Sequence, residues 1–125
     1  MDKKYLDFSD LDAYKRAFNL SNFIWDIVIK WAYFPKITVG KQIVDSADSI
    51  SANIAEGFGR YSKKDKIRFY RISYGSLKEV VDWKEKSNTR KLITKEEYKY
   101  ISEEVEILPK EINQLIKYTN DKLKF

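Results

Sequence analysis

Glu56, Glu79, Asn53 and Arg60 are the residues of this sequence whose types and spacing could do chemistry. Two carboxylates can divide acid and base work or hold a hard cation. Ser49, Asn53, Glu56 and Arg60 recur at steps of four and three. That spacing sets them along one face of a helix, beside an apolar stripe of Ile43, Ala47, Ile50, Ile54 and Gly57. The same residues, joined by Ser76 and Glu79, also read as a structural polar motif. Buried polar groups exist mainly to be paired at helix contacts, and Arg60 lies one turn from Glu56, where it can neutralise it. The structural reading is favoured over a ligand role.

The remaining inventory narrows the chemistry further. The chain has neither His nor Cys, so it lacks the usual general base near neutral pH, the usual activated nucleophile and most transition-metal ligands. The Glu-x-x-His pairs of a ferritin-like di-iron site cannot be made. Gly57, Phe58 and Gly59 end a helix, whereas a dinucleotide fingerprint follows a strand and opens one. No catalytic residue, cofactor-binding residue or metal ligand is expected, and no enzyme. A hydrolase built on Glu56 and Glu79 is the weakest alternative.

Charge carries the remaining signal. The chain nets +5, and residues 60–71 alone hold Arg60, Lys63, Lys64, Lys66, Arg68 and Arg71 against Asp65, the same excess. Tyr61, Phe69 and Tyr70 are interleaved as stacking surfaces. Such a run can be a solvated face that aids solubility. Yet exposed cations at a helix N-terminus oppose the macrodipole by about 0.3–1 kcal/mol each, so local helix stability does not explain them. An anionic partner, most simply a phosphate backbone, would offset that cost, and these six residues are the candidate nucleic-acid contacts.

The elements that must position these groups are four helices, predicted over about residues 10–33, 39–58, 63–88 and 95–120. Ser9 with Asp12, Ser62 with Asp65 and Thr94 with Glu97 have capping-box spacing, and Thr38 is placed to cap the second helix. Leu11, Tyr14, Phe18, Trp25 and Val28 form the expected inner face of the first helix, which Pro35 closes. Gly59 is expected in the left-handed conformation at the end of the second. Ile67, Tyr70, Tyr74, Leu77 and Val81 line the third. Gly75 costs about 1 kcal/mol there relative to Ala, which predicts a neighbouring backbone close by. Asn88 and Thr89 offer a break, and Tyr98, Ile101, Val105, Leu108, Ile112 and Leu115 line the fourth helix. It is expected to continue through Pro109 with a kink near Val105. Short connections make an all-α, antiparallel, up-down-up-down four-helix bundle.

With 125 residues, 43% hydrophobic and 15% aromatic, the chain can bury roughly two thirds of its unfolded surface in a single domain. The stretch from Phe23 to Phe34 is interrupted by Asp26 and Lys30 and is shorter than the roughly twenty apolar residues of a membrane span. It reads as a core helix, with an exposed partner-binding face at Trp25, Val28 and Trp31 as the alternative. The polar start (Asp2, Asp7, Asp10) has no apolar run of a signal peptide, and the lack of Cys suits a reducing cytoplasm, where the protein is expected.

Ser49, Asn53, Ile54, Ala55, Glu56, Gly57, Gly59 and Arg60, followed by Phe69, Gly75, Ser76 and Glu79, resemble the signature of the bacterial four-helix bundle proteins encoded by 23S ribosomal RNA intervening sequences. The accessory variability determinant of diversity-generating retroelements belongs to the same group. The resemblance runs from about Tyr14 to Tyr118 and takes in Phe34, Pro35, Gln42, Ser46 and Ala47. It implies an up-down-up-down bundle, often a ring-shaped homopentamer, and no enzyme. In the retroelement branch, basic surface engages RNA and a reverse transcriptase. Asp45 and Asp48 stand where relatives often have arginines, and Tyr70 and Tyr74 where they often have Leu and Arg, so part of the basic surface implied by the resemblance is missing. The expected role is an oligomeric bundle that binds structured RNA or an RNA-processing partner. The alternative is a protein–protein adaptor using Trp25, Trp31, Tyr33 and Phe34, with no direct nucleic-acid contact.

Overall fold

Four runs of apolar residues at steps of three and four become four long helices in the computed structural model, which describes residues 7–125; Asp2 lies outside the described residues. They are α1 (Asp12–Val28), α2 (Lys41–Phe58), α3 (Lys63–Thr89) and α4 (Lys95–Lys122). α2 packs on α1 and α3, and α4 on α3 and α1, which closes an antiparallel four-helix bundle. Leu20, Ile24, Ile43, Ile50, Ile54, Leu77, Ile101, Leu108 and Ile112 fill its axis with almost no exposure, each contributing roughly 1.5–3 kcal/mol by leaving water. No described helix is long and apolar enough to cross a membrane.

Two of the predicted caps form. Ser62 Oγ accepts from the Asp65 amide at 3.1 Å, and Thr94 and Glu97 complete a reciprocal capping box. Ser9 does not cap α1: the box forms two residues earlier, between Asp7 and Asp10 around the single turn Phe8–Asp10, and α1 starts at Asp12 with no side-chain cap. The acceptor that Asp7 offers is stronger, because it is charged.

The first helix also ends sooner than predicted. The chain leaves the helix at Val28, turns through residues 29–32 and re-enters at Tyr33–Pro35, which runs through a wide π-type turn, Lys36–Gly40, into α2. Pro35 therefore opens the second helical segment rather than closing the first. In a first turn its missing N–H costs nothing, because those donors have no helical partner. Thr38, already inside the segment, caps nothing and donates instead to the Phe34 carbonyl at 2.7 Å. Gly40 marks the corner: a Cβ there would stand 2.6 Å from Val28 Cγ1.

The inward face of α1 is Leu11, Ala13, Ala17, Leu20, Ser21, Ile24, Ile27 and Val28, while Phe18 and Trp25 point outward. The stretch from Phe23 to Phe34 is thus only partly core, with Trp25 52% and Phe34 71% exposed. Along α3 the buried line is Tyr70, Ser73, Ser76, Leu77, Val80, Lys84 and Ser87; Ile67, Tyr74 and Val81 lie at its margin. The serines pass unnoticed in a hydropathy pattern, yet each hydroxyl is paired. Ser73 Oγ donates to the Ile50 carbonyl at 2.8 Å and Ser87 Oγ to the Trp83 carbonyl at 2.7 Å. Lys84 is buried beside Ser102 Oγ (3.0 Å) and Glu85 (3.0 Å), with its ammonium over the Tyr98 ring.

Three further expectations change. Gly75 has no atom within 4 Å of where its Cβ would be, and the close approach occurs at Gly57 instead. Gly59 is not left-handed (φ −79°); the residue that is, Lys91 (φ 61°), ends α3 beyond Asn88 and Thr89, with the Leu92 amide donating back to the Ser87 carbonyl. α4 does run continuously through Pro109, carrying buried Ile101, Val105, Leu108, Ile112 and Leu115 and half-buried Tyr98.

Candidate nucleic-acid interface

The polar motif forms a ladder along the contact of α2 with α3. Asn53 Nδ2 donates to the Ser49 carbonyl and to Ser49 Oγ, both at 2.8 Å, and Ser76 Oγ reaches across from α3 to Ser49 Oγ at 2.9 Å. Further up, Ser46 Oγ lies between the Gln42 carbonyl (2.8 Å) and Glu79 Oε2 (3.2 Å). At the lower end Arg60 Nε stands 3.6 Å from Glu56 Oε2. Arg60 Nε is buried there without a hydrogen-bond partner. Glu79 stands opposite Ser46 and Glu56 ten residues further along the same helix, so about 15 Å of helix rise separates the two carboxylates. They are not a pair for acid and base work.

The basic segment lies where the end of α2 meets the start of α3, beside the end of α4. Two of its six cations have structural work. Lys66 Nζ bonds the Phe58 carbonyl at 2.5 Å, at the C-terminus of α2, and its partial burial pushes its pKa below the ordinary lysine value. Lys63 Nζ bonds the Asn120 and Leu123 carbonyls at 3.1 and 3.4 Å, at the C-terminus of α4. Cations near the start of α3 therefore complement the negative ends of two antiparallel neighbours, which accounts for a placement that α3 alone would oppose. A single helix read by itself cannot reveal this.

Of the other four, two flank one aromatic ring. Phe69 lies between two guanidiniums, with Arg60 Cζ at 4.5 Å and Arg68 Cζ at 4.4 Å from its centroid. Arg68 also meets Asp65 at 3.3 Å. Lys64 and Arg71 are exposed and make no ion pair among the described residues. Of the three aromatics proposed for stacking, Tyr61 is 85% exposed and Phe69 partly so, but Tyr70 is sealed in the core and cannot meet a base. Burial pushes the Tyr70 hydroxyl pKa up to about 12, against the opposing effect of its hydrogen bond with Thr119.

A second surface lies at the opposite end and carries no signal of regular spacing. Phe34, Pro35, Ile37, Val39, Trp83 and Leu92, with Arg90 at the edge, line a groove of about 770 Å³. Tyr33 and Phe34 are among the most exposed large side chains of the protein. Of the residues proposed for an adaptor surface, Tyr33 and Phe34 are open, Trp25 is half open on the outer face of α1, and Trp31 is largely packed, its Nε1 without a hydrogen-bond partner. Among the described residues no three Asp or Glu side chains group as a metal site would need.

Comparison with known proteins adds to this geometry. No curated protein matches the chain. A crystal structure of a protein of unknown function from the S23 ribosomal protein family of Bacteroides thetaiotaomicron VPI-5482 superposes with a TM-score of 0.75 at 26% identity, covering 84% of this chain and 98% of that one. A family model described as 23S rRNA-intervening sequence protein matches residues 9–114, spanning the polar ladder, the basic segment and most of α4. With that match across the bundle, the chain belongs to the family of 23S rRNA-intervening sequence proteins.

Proposed function

We propose that this protein is a non-enzymatic, self-associating four-helix bundle that binds structured RNA in the cytoplasm and is encoded within a ribosomal RNA intervening sequence or a similar element. The observation that carries the reading is Phe69 held between the guanidiniums of Arg60 and Arg68, with Lys64 and Arg71 exposed on α3 and in no ion pair among the described residues. That composition suits a phosphate backbone and the shape of a folded RNA more than base reading. Self-association draws support from two unlike apolar surfaces, the half-open stripe of Phe18 and Trp25 on α1 with Ile29 just beyond its end, and the groove at Phe34 and Trp83. Unlike patches pair head to tail, and such contacts close into rings, a pentamer by resemblance. Repetition of one weak basic patch around a ring raises avidity by about two to four orders of magnitude without new contacts.

Reversing Lys64, Arg68 and Arg71 to Glu tests the patch while leaving the structural Lys63 and Lys66 in place. Binding to a structured ribosomal RNA fragment should weaken by at least about tenfold at low salt. Unchanged binding would overturn the proposal. The groove also supports a second reading, a protein–protein adaptor without nucleic-acid contact, which predicts no RNA binding by either form.

A further inference from the structure

The end of the bundle that carries the groove is also basic. Residues 27–44 hold Lys30, Lys36 and Lys41 and no acid, and residues 86–95 hold Lys86, Arg90, Lys91 and Lys95 and no acid. Outside these segments and residues 60–71 the chain has more acids than bases. The two segments meet in space, since Pro35 and Ile37, on either side of Lys36, line the same groove as Arg90 and Leu92. Lys41 and Lys86 are spent on Asp45 and Asp82, and Lys95 is followed by Glu96. Lys30, Arg90 and Lys91 are exposed and Lys36 is half-buried, and none of the four makes an ion pair among the described residues. Only Arg90 of the four lines the groove, whose apolar floor stays available to another copy.

Lys91 adds a second sign. It is the left-handed residue that ends α3 (φ 61°), a position where glycine avoids the crowding of Cβ against the backbone that any other residue meets. A lysine held there at a steric cost, with no acid to receive its charge, presents that charge to something outside the fold. We infer that Lys30, Lys36, Arg90 and Lys91 form a second phosphate-binding surface, so that one structured RNA is gripped at both ends of the bundle. The inference rests on the RNA-binding reading above. The 27 residues of α3 set the two basic surfaces about 40 Å apart. That is close to the reach of the roughly 16 base pairs over which RNA domains that recognise shape make contact. Between the two surfaces α3 exposes Glu79, Asp82 and Glu85 against Lys78, so the RNA backbone is held at the ends rather than along the flank.

The test uses two ribosomal RNA hairpins, one longer than about 16 base pairs and one of half that length. Each is titrated at low salt with the wild-type protein, with Lys30, Lys36 and Lys91 reversed to Glu, with Lys64, Arg68 and Arg71 reversed to Glu, and with Lys91→Gly. Circular dichroism confirms the fold, and sedimentation the assembly. Reversal at the groove end should weaken binding of the long hairpin by about tenfold and of the short one by at most about twofold, because only the long RNA can join both surfaces. The long hairpin should also show the steeper salt slope. Lys91→Gly, which relieves the backbone, should leave thermal stability unchanged or higher while weakening the long hairpin by about two- to fivefold. Unchanged affinity of the groove-end variant, beside a loss in the Lys64, Arg68 and Arg71 variant, overturns the second surface and leaves RNA binding standing. Equal losses on both hairpins overturn the two-ended grip, and a groove-end variant that sediments as a monomer places these cations between copies and overturns the assignment. No binding by any form overturns the RNA-binding reading, and the second surface with it.

Discussion

A methyl group at position 57 would stand 2.7 Å from Tyr70 Cε1 and 3.0 Å from both the Lys66 carbonyl and Phe69 Cβ, so α3 approaches α2 closely at Gly57. Gly57→Ala should destabilise the protein by about 1–3 kcal/mol in urea titration, because the Lys66 carbonyl is fixed in a helix. Gly75→Ala meets open space and should stabilise it by about 1 kcal/mol, the difference in helix propensity. Tyr70 gives a pH signature. Its folded pKa of about 12 lies above the unfolded value of 10.0, so the stability it confers is complete below pH 10 and is lost as pH rises from about 10 to 12. Denaturation at pH 9 and 11 should show this loss, and Tyr70→Phe should lessen it. At this scale the sequence made the Glu56–Arg60 pair legible, since it is local on one helix. It misassigned the role of Gly75 and missed buried Ser73, because empty space around a glycine and a hydroxyl bonded to a neighbouring helix leave no mark in periodicity.

Element boundaries were legible where local side-chain chemistry sets them. Thr94 and Glu97 start α4 as their spacing requires, and Thr94→Ala should lower stability by about 1 kcal/mol, read by thermal or urea unfolding. Boundaries set by tertiary packing were not legible. The turn at residues 29–32 is followed by a corner where Gly40 fits against Val28, a contact between segments that α1 cannot announce by itself. The charges at the start of α3 follow the same rule. Lys63 and Lys66 look misplaced on their own helix and fit once the ends of α4 and α2 lie beside them.

For the whole molecule, the bundle was readable because four apolar stripes with short connections leave few other arrangements. The surfaces were less so: the groove gathers Phe34, Trp83 and Leu92 from distant parts of the chain. Phe34 is exposed, so Phe34→Ser should leave unfolding unchanged while shifting sedimentation toward the monomer; an unaltered assembly would remove the groove from the interface. RNA binding is the central claim, and the salt dependence of affinity for a structured ribosomal RNA fragment tests it most directly. Three exposed cations, Lys64, Arg68 and Arg71, predict a slope of log affinity against log salt of about −2 to −3 per protomer, at 0.7–0.9 for each neutralised phosphate. A flat slope, or no binding at low salt, would contradict the account.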